Sequence, residues 1–250
     1  MDFKSRVFGV TCTSVVLCTL VYLVPLLPGA LRLWAYRGSL ISAIAAFGFR
    51  CYLLASQGIA APNRPALTSL EGVRTAFKPV ITSNNFQYLS LCMAGFTGAP
   101  QMLFLVPPAI LSVFQAASFY DKLFSSTELW KRVKADVAYG TLYDNMAQAL
   151  MLCATMEIGL GFLTFFELFT RSRSIGRLYL VWTFLRSRYH CADNTCFRFK
   201  FTYGSTSFYH KTAWTQLYDK VAPYVNMATA RVPVLGTAVN GVQRWFTGGR

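Results

Sequence analysis

The sequence predicts an all-α protein, a multipass integral membrane helical bundle with hairpin-like segments and a C-terminal amphipathic region. Three observations support this fold class. First, 54% of the 250 residues are hydrophobic and only 14% are charged, whereas soluble domains average about 25% charged residues. Second, residues 79–120 form a stretch of 42 residues without a single Asp, Glu, Lys or Arg. Third, the net charge is +14, and 12 of the 24 Lys and Arg residues follow residue 170.

The first predicted element is a membrane helix over residues 7–27. Residues 7–31 carry no charge, and a short basic segment precedes them. This arrangement also resembles a secretory signal. We favour an uncleaved membrane helix because the apolar run of 25 residues is longer than the usual core of a signal peptide. In addition, the segment from Pro25 to Gly29 lacks a small-x-small cleavage pattern.

A second membrane helix is predicted over residues 38–56. A tight turn precedes it, and Arg32 and Trp34 in that turn suit the membrane interface. Small residues along the predicted helix allow a neighbouring helix to approach closely, although alanine also simply favours helix formation. Residues 58–78 contain two prolines and three basic residues, so they are predicted to form a surface connection.

The uncharged stretch is too long for one crossing and predicts a helical hairpin. A bilayer core about 30 Å thick needs roughly 20 helical residues at about 1.5 Å per residue. We predict two arms, residues 84–97 and 101–120, joined by a bend at Gly98, Ala99 and Pro100. The first arm is short for a full crossing, so a shallow hairpin and two spans are both open. We predict that both ends of the stretch lie on the cytoplasmic side.

A third apolar region follows a polar helix start. Glu128 lies three residues after Ser125, which is the spacing of a helix N-terminal capping box. We predict one helix that becomes apolar after Asp144, enters the bilayer and ends near Thr170. Residues 178–185 are too short to span the bilayer, so they form a return arm or lie at the interface.

The chain divides into a membrane-embedded helical domain, residues 1–190, and a basic cytoplasmic tail with amphipathic helices, residues 191–250. Within the tail, residues 234–247 carry apolar residues at spacings of three and four, after Pro233 at a position that suits a helix start. We predict a helix that lies on the membrane surface near anionic lipid. Packing on the protein's own helices is the alternative. The predicted membrane-surface stripe consists of Leu235, Val239, Val242, Trp245 and Phe246.

Two charges interrupt otherwise apolar segments. Arg50 lies between the apolar runs 38–49 and 51–56, and Glu157 lies between 145–156 and 158–166. Charged groups inside membrane segments are rare, and they are normally paired or face a wet cavity. We predict an intramembrane ion pair between these two residues. In the alternative, each lies near an interface and extends its charged end to water.

The sequence contains no recognisable catalytic motif. It lacks a nucleophile elbow, a Walker loop, an HExxH motif and paired carboxylates. His190, Cys191 and Cys196 lie close together in sequence, but their spacing fits no standard zinc pattern. We therefore predict that the protein is not an enzyme and that it uses no catalytic residue, metal or cofactor.

Several local patterns occur in an order that resembles one known family. Over residues 7–198 their order and spacing resemble the transmembrane protein 33 family, which includes the pore-membrane nucleoporins of fungi. The resemblance implies an all-helical protein of the endoplasmic reticulum and nuclear envelope. It also places the two intramembrane charges at positions that are charged in the family. The patterns are Arg37-Gly-Ser-Leu-Ile-Ser-Ala, Asn85-Phe-Gln-Tyr-Leu-Ser-Leu, Leu111-Ser-Val-Phe-Gln-Ala-Ala-Ser-Phe-Tyr, Cys153-Ala-Thr-Met-Glu-Ile and Trp182-Thr-Phe-Leu-Arg-Ser-Arg-Tyr.

Members of that family are associated with reticulon-type membrane shapers, nuclear-pore assembly and stress signalling. The resulting hypothesis is a non-enzymatic multipass protein of the endoplasmic reticulum membrane and nuclear envelope that shapes or organises membrane and scaffolds protein partners. A transporter or channel component and a lipid-modifying enzyme are the alternatives. The expected partners are the lipid bilayer, including anionic lipid, and other membrane-shaping or nuclear-pore proteins. Nucleic acid is not expected, because no recognisable nucleic-acid module accompanies the basic tail. The sequence predicts no oligomeric state.

Overall fold

Eleven α-helices and one short 3-10 turn make up most of the part of the chain that the computed structural model describes. The described residues are 3–60, 69–124, 126–136, 138–170, 173–190, 206–231 and 233–247. No strand occurs among them, which confirms the all-α class. The helices are α1 (Phe3–Leu23), α2 (Gly29–Ala60), α3 (Leu70–Ile81), α4 (Asn84–Phe96), α5 (Val106–Phe124), α6 (Glu128–Asp136), α7 (Ala138–Asp144), α8 (Met146–Glu167), α9 (Ile175–His190), α10 (Thr206–Arg231) and α11 (Pro233–Thr247), and the 3-10 turn is Met102–Phe104.

Helices α1 and α2 form the first antiparallel hairpin. The Ser39 hydroxyl lies 2.8 Å from the Thr19 hydroxyl, and Arg32 Nε donates to the carbonyl of Tyr22 at 3.2 Å. The connecting turn is shorter than predicted, because α2 begins at Gly29 rather than at residue 38. The carbonyl of Pro28 accepts the first helical bond, from the Arg32 amide at 3.1 Å. Proline at the helix start loses no hydrogen bond, since the first amides of a helix have no partner within it.

Helices α4 and α5 form the second hairpin and confirm the two predicted arms and their bend. The Ser83 hydroxyl caps α4 by accepting from the Phe86 amide at 3.3 Å. Just before the bend, a Cβ at Gly95 would lie 2.8 Å from the ring of Phe104. The end of α4 therefore packs closely on the 3-10 turn because residue 95 has no side chain. The predicted surface connection differs in part, since residues 70–81 form α3, which the Ser69 hydroxyl caps.

Helices α8 and α9 form the third hairpin, so residues 178–185 belong to a return arm. Trp182 Nε1 donates to the carbonyl of Gly161 at 3.2 Å, and a Cβ at Gly161 would lie 2.4 Å from Leu185 Cδ1. The predicted single helix from Glu128 to Thr170 is wrong. Three helices, α6, α7 and α8, occupy that region, and Asn145 separates the last two with backbone angles φ −90° and ψ 6°.

The three hairpins stand side by side and point the same way. Helix α4 runs antiparallel to α2, because Tyr36 in the first part of α2 donates to the carbonyl of Gly95 at 3.0 Å, whereas Phe47, three turns later, stacks on Tyr88. The N-terminal half of α1 contacts the C-terminal half of α5, where Thr13 Oγ1 donates to the hydroxyl of Tyr120 at 3.2 Å. Helix α1 is thus antiparallel to both neighbours, which aligns the first two hairpins.

The third hairpin follows the same orientation. Cys153 Sγ lies 3.9 Å from the carbonyl of Pro107 in the first turn of α5, and Glu167 at the end of α8 accepts from Gln101 just before the 3-10 turn, so α8 runs antiparallel to α5. We call the end that holds the three hairpin connections the tip end, and the other end the open end. The first described residues of the chain and the C-terminal ends of α2, α5 and α9 all lie at the open end. This arrangement fits the prediction that both ends of the stretch 79–120 lie on the same side of the membrane.

Four helical segments are long and apolar enough to cross a membrane: Ser5–Leu23, Gly29–Gln57, Met102–Phe124 and Met146–Glu167. Helices α4 and α9 are shorter, with 13 and 16 residues. They measure about 20 Å and 24 Å, against a bilayer core of about 30 Å. The second and third hairpins therefore each combine a long arm with a short arm.

The first part of the predicted tail packs on the membrane bundle. Helix α10 contacts α8 and α9, and it buries Tyr209, His210 and Ala213. Helix α10 also continues through Pro223, and α11 begins at Pro233 as the sequence predicts. The predicted division at residue 190 therefore lies between two segments that pack against each other.

Candidate functional site

Glu157 occupies the centre of a buried polar cluster. It lies midway along α8, and its side chain is fully buried. Burying an ionised carboxylate is costly unless other groups pair with it and hydrogen-bond to it. The partners of this carboxylate therefore determine which helices must assemble around α8.

Arg188 of α9 is the cation that contacts Glu157. Its Nε donates to Glu157 Oε2 at 3.2 Å, and the arginine side chain is only 4% exposed. Its Nη1 donates to Oδ1 of Asn84, the first residue of α4, at 2.8 Å. The guanidinium carbon also lies 5.0 Å from the ring centroid of Tyr88. One side chain thus joins α4, α8 and α9.

Two neutral groups complete the cluster. The Tyr88 hydroxyl donates to Glu157 Oε1, and His210 Nε2 of α10 lies 2.5 Å from Glu157 Oε2. Burial lowers the pKa of His210 below its ordinary value of 6.5. The imidazole is therefore neutral at pH 7, and it donates through Nε2 because the carboxylate can only accept. One negative and one positive charge then balance inside the cluster.

The predicted ion pair between Glu157 and Arg50 is wrong, because the partner of Glu157 is Arg188. Helix α2, which carries Arg50, packs on α1, α3 and α4, whereas α8 packs on α5, α9 and α10. The Arg50 guanidinium instead lies over the ring of Phe8, 4.0 Å from its centroid. Sequence patterns contained a signal for both missed partners. Arg188 follows Val181, Phe184 and Leu185 on the buried face of α9, and His210 precedes Ala213 by one turn.

A second polar contact closes the tip end. Arg177 Nη1 donates to Glu167 Oε2 at 3.2 Å, and Nη2 donates to the carbonyl of Ala99 at 3.3 Å and to Gln101 Oε1 at 3.2 Å. The Gln101 amide also donates to Glu167, and the guanidinium lies 4.3 Å from the ring centroid of Phe104. The bend of the second hairpin is therefore tied to the connection of the third.

Both contacts have the composition of ion pairs that hold helices together. In each one the carboxylate accepts from an arginine of the same hairpin and from a neutral donor of the second hairpin, which is Tyr88 for Glu157 and Gln101 for Glu167. No group of three His, Cys, Asp or Glu side chains that could hold a metal ion occurs among the described residues. Cys191 and Cys196, which the sequence raised as metal ligands together with His190, lie outside those residues. The geometry fits a tie between helices better than a reactive centre.

The predicted membrane-surface stripe lies on α11 and is partly covered. The Arg186 guanidinium of α9 lies 4.8 Å from the ring centroid of Trp245, and the tryptophan side chain is still 38% exposed. Val239 and Val242 are exposed. The side chains of Leu235 and Phe246 lie outside the described part of the chain. One end of the stripe thus contacts the bundle, while two valines present an apolar surface.

One comparison with known proteins identifies a family. The family model described as Transmembrane protein 33/Nucleoporin POM33 matches residues 7–213, which include both arginine–glutamate contacts and His210. No curated protein and no solved structure shows a significant match. Helix α11 lies beyond the matched residues.

Proposed function

Because the chain belongs to the transmembrane protein 33/nucleoporin POM33 family, we propose that it is a non-enzymatic protein of the endoplasmic reticulum membrane and nuclear envelope that shapes or organises membrane and scaffolds protein partners. The observation that carries the proposal is the parallel arrangement of three helical hairpins with all their tips at one end. Hairpins with a long and a short arm occupy the two halves of a bilayer unequally, which favours curvature.

The exposed part of α11 supports the same proposal. Val239 and Val242 lie on one side of this amphipathic helix, and Thr237 and Asn240 are exposed around the rest of it. An apolar stripe of this kind inserts shallowly among lipid headgroups, and nearby basic residues strengthen its attraction to anionic lipid. We propose that α11 adds lipid contact at the membrane surface.

The test is reconstitution of the full chain into liposomes at a fixed protein-to-lipid ratio, with vesicle shape measured by cryo-electron microscopy. We expect the wild-type chain to produce tubules or vesicles of smaller radius than empty liposomes. The double variant Val239→Asp/Val242→Asp should reduce the effect, because it charges the apolar stripe. The matched variant Thr237→Asp/Asn240→Asp adds the same charge on the polar side and should retain it. Vesicles that keep their size with every chain would refute membrane shaping.

A transporter or channel component is the second candidate, because the protein holds an ion pair at mid-helix. Glu157 is fully buried and already has three partners, so an ion could reach it only after the cluster opens. The same liposomes loaded with a pH-sensitive dye provide the test. Proton or cation flux that Glu157→Gln abolishes would favour this candidate over membrane organisation.

A further inference from the structure

Helix α3 carries an exposed apolar stripe. Val73, Phe77 and Ile81 are spaced four residues apart, and they are 40%, 40% and 57% exposed. Residues four apart lie on the same face of a helix, so the three side chains form one continuous surface, which we call the α3 stripe. Exposed apolar patches mark sites of contact with protein or with membrane.

The buried face of α3 lies beside this stripe. It consists of Gly72, Ala76 and Val80, which are also four residues apart, and α3 packs on α2 and α4. Each residue of the α3 stripe directly follows one of these buried residues, so the stripe lies about 100° further round the helix. The packing that attaches α3 to the bundle therefore leaves the α3 stripe on the outside.

Two basic residues border the α3 stripe on its far side. Arg74 and Lys78 each directly follow a residue of the stripe, so they lie about a further 100° round the helix. Both side chains are exposed, and neither forms a hydrogen bond or an ion pair with another residue that the structure describes. Beyond them, the exposed residues Glu71 and Thr75 complete the polar side. The order round the helix is thus buried, apolar, basic and polar.

Helix α3 lies at the open end of the bundle. Its last residue, Ile81, is three residues before Asn84, whose Oδ1 accepts from Arg188 in the last turn of α9 at 2.8 Å. The candidate span of α2 ends at Gln57 at the same end. With 12 residues, α3 measures about 18 Å, which is too short to cross a bilayer core of about 30 Å. A helix at this level lies at the boundary between hydrocarbon and headgroups.

The order of faces round α3 matches a helix that lies in the plane of this boundary. In that position the α3 stripe reaches the acyl chains, the two basic side chains lie at the depth of the phosphates, and the remaining polar face meets water. Anionic headgroups attract Lys and Arg at this depth. A lipid surface thus complements both the apolar part and the charged part of the exposed face.

We infer that α3 is an in-plane membrane-surface helix that inserts the α3 stripe among acyl chains and binds anionic phospholipid through Arg74 and Lys78. The inference assigns a role to a segment that the sequence predicted mainly as a surface connection. It rests on the membrane embedding of the bundle, and it does not depend on membrane shaping or on α11. Its rival is a protein partner that covers the same stripe.

The experiment measures the depth of α3 in the full chain, reconstituted into vesicles of dioleoyl phosphatidylcholine and dioleoyl phosphatidylserine. The fluorescent amino acid Anap replaces Phe77 in one chain and Thr75 in a second chain; both positions are exposed, so the buried face of α3 stays intact. A doxyl group on the acyl chains of one lipid quenches a fluorophore that lies close to those chains. We expect blue-shifted and quenched emission from position 77. Position 75 should give emission typical of water with little quenching.

The same probe at position 77 measures lipid preference. At equal mole fraction, doxyl-labelled phosphatidylserine should quench it more strongly than doxyl-labelled phosphatidylcholine. Arg74→Gln and Lys78→Gln should each lower that preference by up to about fivefold, and the double variant should abolish it. The matched control is Lys220→Gln/Arg231→Gln, which removes two exposed charges from α10, a helix that packs on α8, α9 and α11. It should leave the preference unchanged.

Four results would overturn the inference. Emission typical of water from position 77 would show that the α3 stripe does not enter the membrane. Equal quenching of positions 75 and 77 would show that α3 does not lie in the plane of the boundary. Blue-shifted emission from position 77 that neither doxyl lipid quenches would show that a protein covers the stripe. Equal quenching of the wild-type probe by the two lipids would refute the binding of anionic lipid.

Discussion

Arg188 on α9 and Glu157 on α8 form an ion pair in the interior of the bundle, with Nε and Oε2 3.2 Å apart and both side chains buried. The pair joins the middle of α8 to the last turn of α9. Through the contact of Arg188 with Asn84, it also joins the third hairpin to the second. Its partners therefore decide which helices can lie next to α8.

We predict that Glu157→Leu or Arg188→Leu alone destabilises the protein by about 3–5 kcal/mol, because each leaves an uncompensated buried charge. The double variant Glu157→Leu/Arg188→Leu should recover part of that loss. The thermal midpoint in detergent measures both effects. Glu128→Gln, which removes an exposed charge that pairs with Lys131, should cost less than about 1 kcal/mol.

Two charge exchanges separate Arg188 from Arg50 as the partner of Glu157. Exchange of Glu157 with Arg188 should restore more stability than exchange of Glu157 with Arg50. The reason is that only the first exchange returns opposite charges to adjacent positions. Better recovery with Arg50 would reject the observed pairing.

We predict that the tip-end contact contributes independently of the first pair. Arg177→Leu should lower stability by about 2–3 kcal/mol, since it removes charge-assisted hydrogen bonds to Glu167 and Gln101. Arg173→Leu is the control, because Arg173 is exposed close to Arg177 in sequence. The midpoint shift of the double variant Arg177→Leu/Glu157→Leu should equal the sum of the two single shifts, because Glu167 and Glu157 lie about 15 Å apart along α8.

Docking of α10 should weaken in mild acid. The pKa of His210 is lowered by burial, so the unfolded chain binds a proton more readily than the folded chain and stability falls as the pH drops below about 6.5. The groups around the imidazole are Glu157, Arg188 and Tyr88, and a second positive charge there would be unbalanced. We expect a lower thermal midpoint at pH 5.5 than at pH 7.5.

His210→Gln should reduce that difference between the two pH values, because it removes the titrating group. His190→Gln should preserve it, because His190 is exposed at the end of α9. If the midpoint of the wild type is the same at both pH values, the neutral, buried state of His210 is refuted.

The common orientation of the hairpins predicts membrane sidedness. Single cysteines at Leu26 and Ser174, near two tips, should react with a membrane-impermeant thiol reagent from one side of sealed microsomes. Cysteines at Gln57 and Thr127, near the open end, should react from the other side, which we predict to be cytoplasmic. Labelling of the native cysteines is measured on the unmodified chain and subtracted from the labelling of each variant. Labelling of Leu26 and Gln57 from the same side would contradict a crossing by α2.

Local sequence signals were sufficient for the elements of the second hairpin. The absence of charge over residues 79–120 and the turn around Pro100 predicted two arms. Helix α4 follows its predicted bounds to within one residue, whereas α5 begins five residues later than predicted and ends four residues later. Proline and glycine act on the adjacent backbone, so a bend can be predicted from the few residues around them. Pro233 likewise predicted where α11 begins, because proline suits the first position of a helix.

Some local boundaries still differed, because helices extend or end according to their neighbours. Helix α2 includes the residues around Trp34 that the sequence assigned to a turn, since α2 packs along α1 as far as Arg32. Similarly, the predicted long helix ends at Asn145 and restarts as α8.

The sequence by itself determined that the protein is helical, membrane-embedded and folded back on itself, because chain polarity and turn residues act locally or through the bilayer. It also determined that Glu157 needs a partner, since a buried charge is costly anywhere in the membrane. Only the tertiary structure decided that the partner is Arg188, because the order in which hairpins pack is set by the shapes of their surfaces. Arg50 lies on a helix that packs on α1, α3 and α4, so it lies over the ring of Phe8 and does not reach Glu157.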